Sequence, residues 1–125
     1  MKVKIAFSGK DAVARIKNVK QYKKVVRPII NKNLLQMRNY AVSGGTPVDT
    51  GELKNSVFTT MDSDLSGRIG YSKKYAPHVE YGHRIVKNGK TYGFVPGQYY
   101  FRANINRQKG TIKDDMEKML KELNR

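Results

Sequence analysis

Residues 75–83 read YAPHVEYGH and place His78, Glu80 and His83 within six positions, the residue types of a metal site or an acid–base pair. Both kinds of chemistry need the side chains to converge on one point, so the spacing decides. On a helix, His78 and Glu80 point roughly 200° apart and His78 and His83 roughly 140° apart, whereas a zinc-binding helix sets its histidines at i and i+4. On a strand, His78 and Glu80 share a face and His83 lies on the other, unless Gly82 bends the chain and brings it back. Pro77 favours the first turn of a short helix, which leaves Glu80 near that turn's end. The segment therefore reads as a structural turn whose Glu80 ties down neighbouring backbone N–H groups or a basic side chain. No catalytic residue, metal or cofactor is expected there.

Elsewhere the chemistry is thinner. There is no Gly-x-Ser-x-Gly elbow, and only two histidines are present to act as a base. SGKDAV resembles a phosphate loop only in part, because it lacks the leading glycine and the Gly-Lys-Ser/Thr ending. The absence of cysteine excludes disulfides, thiolate metal sites and cysteine nucleophiles. No apolar run approaches the ~20 residues of a membrane span, and MKVKIAFSGK lacks the apolar stretch of a signal peptide. These features predict a soluble protein of a reducing cytoplasm with no membrane association.

Charge is the strongest compositional signal: 25 Lys and Arg against 10 Asp and Glu, a net +15 over 125 residues. Residues 1–43 hold 11 basic and one acidic residue (+10), and residues 44–125 hold 14 and nine (+5). Such a balance favours nucleic acid, an acidic protein surface or an anionic membrane as partner, without choosing among them.

The elements that must position these residues follow from periodicity. Val3, Ile5 and Phe7 alternate as in a half-buried strand, and Ser8 with Asp11 can cap a short helix over Asp11–Lys17. Val19, Tyr22, Val26, Ile29, Ile30, Asn33, Met37 and Ala41 mark one face of a long helix, with Pro28 expected to kink it or begin its second half, and Gly44-Gly45 to end it. SVFTTMD and SGRIGYS read as two strands around a polar turn, and Asn88-Gly89 as the turn of a hairpin. Phe101, Ile105, Gln108, Ile112, Met116, Met119 and Leu123 keep helical phase across Gly110, favouring one final helix from about Gln98 to Leu123, with Thr111 and Asp114 as the alternative cap of a separate one. The expected fold is a single α+β domain over 1–125: long N-terminal and C-terminal helices packed on a small antiparallel sheet, with a β-hairpin. Its second half carries more aromatic residues than a core of this size needs, so the surplus tyrosines divide between core and partner contact.

TPVDTGELKNSV resembles the Pro-x-Asp-Thr-Gly-x-Leu-x-x-Ser signature of small tail-component proteins of long-tailed bacteriophages and prophages, the tail-completion, neck or head–tail joining proteins. YAPHVEYGH is similar to that family's Tyr-Ala-x-x-Val-Glu-[Phe/Tyr]-Gly segment, and PGQYYFRANI to the stretch that leads into its last helix. The resemblance spans roughly residues 20–125. It implies that Pro47, Asp49, Thr50, Gly51, Leu53, Ser56, Tyr75, Ala76, Val79, Glu80, Tyr81, Gly82, Phe101 and Ala103 are structural. In that role Asp49 and Thr50 cap a short helix through Glu52–Ser56, and Leu53 anchors it inward. Asp-Thr-Gly also occurs in aspartic proteases, but there the aspartate follows a strand, and here a helix-prone ELKNS follows it.

The resemblance further implies a virion protein without catalysis, located at the head–tail junction and in the host bacterial cytoplasm during assembly. It would form a ring of copies, often sixfold, between head-closure or connector and tail-terminator proteins, with transient contact with phage DNA. The first long helix offers Lys20, Lys23, Lys24, Arg27, Lys32 and Arg38 for partner or DNA contact. An acidic face of the next ring is the expected counterpart, since a channel that must release DNA gains little from tight phosphate binding. Two alternatives stand beside this: a sequence-independent nucleic-acid-binding protein, and a small toxin-like ribonuclease using His78, Glu80, His83 and Arg84. The stretch His83–Val95 has no assignment beyond a hairpin.

Overall fold

In the computed structural model, which describes residues 1–6, 19–48 and 51–123, the alternation at the N-terminus becomes an edge strand, β1 (Lys2–Ala6). Val3 and Ile5 are half-buried and the two lysines exposed. β1 pairs antiparallel with β3 (Ser66–Tyr71), which pairs on its other edge with β2 (Val57–Ser63), giving the order β1-β3-β2. The register sets Val3 and Thr59 on either side of Ile69, and Ile5 and Met61 on either side of Gly67, so one face of the sheet is apolar.

That face is covered by α1 (Val19–Tyr40), whose Val26, Ile30, Leu34 and Met37 are fully or almost fully buried with Ile69 and Tyr71. The helix runs on through Pro28, which therefore does not open a separate second half. Pro28 and Lys24 are both exposed, so the carbonyl that loses its N–H partner lies on the solvent side, where water replaces it. A wider helical turn at 41–45 then stops the helix, with Gly44 at φ 148°. A one-turn helix, α2 (Glu52–Asn55), leads into β2, and a second short helix, α3 (Ala76–Tyr81), follows β3.

The last helix, α4 (Tyr100–Leu123), is unbroken at Gly110 and runs along α1. Its polar core positions bond across the interface, except that Asn104 Oδ1 is buried with no partner among the described residues. Gln108 Nε2 donates to Asn33 Oδ1 (2.7 Å) and Gln36 Oε1 (2.8 Å), Asn33 Nδ2 to Asp115 Oδ2 (3.1 Å), and Asn104 Nδ2 to the Met37 carbonyl (2.9 Å). Amides in a buried seam are costly unless matched, so this ladder fixes one register between the two helices. The fold is thus α+β as expected, with two long helices, an antiparallel sheet and a separate hairpin.

That hairpin, β4 (Gly82–Lys87) and β5 (Lys90–Pro96), forms a sheet of its own. Asn88 (φ 52°) and Gly89 (φ 77°) make its two-residue turn, the left-handed pair that matches strand twist. Phe7, the cap at Ser8 and Asp11, the helix expected over Asp11–Lys17, and Asp49 and Thr50 lie outside the described residues, as do the side chains of 19–22 and of Leu123.

Candidate functional site

Three segments distant in sequence meet at the start of α4. Glu80, only 1% exposed, is the centre of the meeting point. Its Oε2 accepts the N–H of Phe101 (2.6 Å) and its Oε1 the N–H of Arg102 (3.0 Å). The first N–H groups of a helix have no partner within it, and its N-terminus carries partial positive charge, so a carboxylate there satisfies both needs. Glu80 does from 21 residues away what a capping side chain ordinarily does locally. The sequence expectation that Glu80 ties down backbone N–H groups is met.

The same crossing is locked through the backbone. Gln98 N–H donates to the Val79 carbonyl (2.9 Å) and Tyr99 N–H to the Glu80 carbonyl (3.1 Å). Two glycines permit the approach. A Cβ on Gly97 would stand 2.3 Å from the Glu80 carbonyl oxygen, and one on Gly82 would stand 2.4 Å from that of Val95. Gly82 also turns with φ 85°.

The first signature stretch packs beside this knot. Pro47, Gly51 and Leu53 share with Tyr75, Val79 and Gln98 a groove of about 400 Å³. Gly51 holds the N-cap position of α2 at φ 85°, and Leu53 is buried as the expected inward anchor. Ser56 Oγ donates back to the Leu53 carbonyl (2.8 Å) and closes the short helix. Ala76 and Phe101 are buried, whereas Tyr75, Tyr81 and Ala103 are exposed.

Tyr71 and Tyr100 are not among the residues that the resemblance marks as structural, yet they hold the segments together. The Tyr71 hydroxyl lies 2.7 Å from Thr46 Oγ1, and the Tyr100 hydroxyl donates to the Ala76 carbonyl (3.0 Å). The Tyr71 ring meets Tyr100 and Phe101 edge-on, at 5.2 and 5.4 Å between centroids. Burial pushes both phenols above the ordinary tyrosine value, with the Glu80 charge adding to it. In the sequence Thr46 opens the first signature stretch and Tyr100 lies within the third, but neither position reveals the pairing.

His78 and His83 do come together, through the bend at Gly82 that the sequence allowed for. Their rings lie edge to face, 5.5 Å apart, in an open pocket of about 520 Å³ that Arg84 also lines. Two imidazoles and a guanidinium can hold an anion, but Glu80 faces away from them into the helix cap. Among the described residues no three His, Asp or Glu side chains stand close enough to share a metal ion, and no helix is long and apolar enough to cross a membrane.

The basic residues of α1 divide. Arg27 pairs with Asp64 of the β2–β3 turn and Lys32 with Asp115 of α4, each at 3.1 Å, while Lys23, Lys24 and Arg38 are exposed and the Lys20 side chain lies outside the described residues. Arg107 stacks on the Tyr40 ring at 4.2 Å, so Tyr40 is part of the helix pair. Compared with family models, curated proteins and solved structures, the chain gives no match.

Proposed function

We propose that this chain is a structural subunit of the head–tail joint of a long-tailed phage or prophage, a tail-completion or neck protein that assembles as a ring through protein–protein contacts. One observation carries the reading. The segments that resemble the tail-component signatures converge on one knot, where Glu80 is fully used as the cap of α4 and Gly82 and Gly97 permit a backbone crossing. These residues do architectural work, and the knot presents a separate hairpin to the outside.

In this function the chain turns over no substrate. Its neighbours are other copies of itself and the head-closure and tail-terminator layers, and its cationic α1 face meets an acidic ring surface or passing DNA. The test is a particle preparation lacking the protein, viewed by electron microscopy. Filled heads and separate, unjoined tails are expected; normal joining overturns the proposal. RNA cleavage by the purified chain, lost on His83→Ala, would instead assign the paired histidines and Arg84 to a ribonuclease.

A further inference from the structure

The hairpin β4–β5 carries a surface that the rest of the chain does not use. It pairs with no other strand, and it touches the body chiefly through α3 at its base. Every exposed Tyr or Phe ring among the described residues lies on this arm or at its foot: Tyr75, Tyr81, Tyr92, Phe94 and Tyr99. Tyr92 and Phe94 stand furthest out, at 65% and 59% exposure. Positive charge gathers along the same stretch. From Tyr81 to Lys113 the chain has seven Lys and Arg residues, all exposed, and no carboxylate. At the foot, Glu80 is buried as the cap of α4, and Glu52, which lines the groove with Tyr75, pairs with Lys73 (3.7 Å).

On the arm itself the cations and the rings interleave. Phe94 lies opposite Arg84 and Val95 opposite His83, and successive residues of a strand face opposite sides, so each face carries an apolar and a nitrogen-bearing group. The register shift after Ile85 leaves Tyr92 as the extra residue of a bulge. The tip reads Lys87-Asn88-Gly89-Lys90. At the base, the His78 and His83 rings, 5.5 Å apart, share with Arg84 an open pocket that no carboxylate lines. From Arg84 to Lys87 is three residues of strand, about 10 Å. Arg102, at the foot, lies over the Tyr99 ring at 4.6 Å.

This pattern selects among the partners that positive charge alone admits. A hairpin that enters a bilayer needs an apolar tip or an apolar face, and this one has two lysines at its tip and mixed faces. A second copy of the arm would set Arg84, Lys87 and Lys90 against the same three cations. A nucleic-acid duplex matches the charge but keeps its base faces in the stack, which leaves Tyr92 and Phe94 without a use. A single strand offers both things the arm is built for: phosphates for the cations and free base faces for the rings.

We infer that the β4–β5 arm binds single-stranded nucleic acid, with phosphates held at the pocket of His78, His83 and Arg84 and at Lys87 and Lys90, and unpaired bases stacked on Tyr92 and Phe94. Ring faces and phosphates are common to every nucleotide, so the contact is independent of sequence. The inference adds a partner to the head–tail reading and does not rest on it.

The test is the fluorescence anisotropy of a labelled polythymidine oligonucleotide, titrated with the full chain at several salt concentrations. The wild-type chain should bind it, and unlabelled duplex of the same length should compete about tenfold less well. Tyr92→Ala with Phe94→Ala leaves the net charge of +15 unchanged and should weaken binding about a hundredfold. Tyr92→Leu with Phe94→Leu keeps the apolar bulk and should weaken it nearly as much, because the ring face is what stacks. Arg84→Gln with Lys87→Gln and Lys90→Gln should flatten the slope of log affinity against log salt by about two. All three variants should unfold like the wild type. No binding at low salt overturns the inference, as does affinity that survives loss of both rings, or duplex that competes equally. Cosedimentation with phosphatidylserine vesicles in place of oligonucleotide binding, lost with the two rings, overturns it and gives the arm to a membrane. Self-association lost with the two rings, without oligonucleotide binding, overturns it and gives the arm to a second copy. The particle test reads the head–tail joint separately, so either reading can fail while the other stands.

Discussion

Tyr71, Tyr100 and Phe101 are 3–4% exposed, and Tyr71 meets each of the others edge-on in the body of the molecule; Tyr92 and Phe94, in the arm, are 65% and 59% exposed. The same contrast holds for charge. Asp115, Arg27 and Arg68 have partners inside the chain, whereas Arg84, Lys87 and Lys90 lie on a ribbon with no acid of its own. A domain is stable by a small margin over a large entropic cost, so groups left in water at full exposure contribute little to it. The body is therefore where stability resides, and the arm is where a surface has been kept for something else. The two regions are joined at Glu80, which caps α4 immediately before the chain turns into the arm.

If that division is correct, the largest loss of stability belongs to the joint itself. Glu80→Ala leaves the buried Phe101 N–H and the part-buried Arg102 N–H without acceptors and removes negative charge from the helix N-terminus. Two charge-assisted hydrogen bonds of this kind predict a cost of about 3–5 kcal/mol in urea unfolding, a large part of a small domain's margin. Glu80→Gln keeps the shape and one acceptor and should lose about half as much. A Glu80→Ala variant within 1 kcal/mol of wild type would show that the body does not depend on the knot.

The role of Glu80 was legible because the spacing of His78, Glu80 and His83 argued against a shared centre, leaving a carboxylate to tie down backbone N–H groups or a basic side chain. The sequence could not show which donors, since Phe101 and Arg102 are 21 and 22 residues away and only the tertiary fold brings them there. Strand and helix phases were legible for the same reason that they form: Val3, Ile5 and Ile69 alternate, and Val26, Ile30, Met37 and Ala41 share a helical face. Asn33 and Gln108 fell on those apolar faces by phase alone, and their mutual hydrogen bond, which makes the placement tolerable, needed the register of two helices. Pro28 does not begin a second helix because the carbonyl that loses its N–H partner lies on the solvent side, where water replaces it. The arm was visible as Asn88-Gly89 between β-prone flanks, but its isolation was not, because exposure depends on what fails to pack against it.

A smaller effect should appear on the alkaline side. Burial holds the Tyr71 and Tyr100 phenols above the ordinary value of about 10, so the folded state resists an ionisation that the unfolded chain undergoes freely. Their contribution is complete below that value and is lost as pH rises beyond it, toward the raised folded values. Tyr71→Phe should flatten this alkaline fall, read from unfolding curves at increasing pH. At neutral pH it should cost about 1–2 kcal/mol, because the buried Thr46 hydroxyl loses its partner. An unchanged alkaline limb would show that Tyr71 does not carry the effect.

The smallest effect is expected where the most apolar surface is exposed. Ile85→Ser together with Phe94→Ser removes two large side chains, a change that costs several kcal/mol in a core. In the arm these groups already face water, so unfolding of the dilute monomer should shift by no more than about 0.5 kcal/mol. A loss of several kcal/mol would mean that the arm folds back on the body in solution, and the contrast between the two regions would disappear. A near-zero shift would mean that Ile85 and Phe94 are held at no benefit to the single chain, which leaves a second surface as the place where their burial contributes.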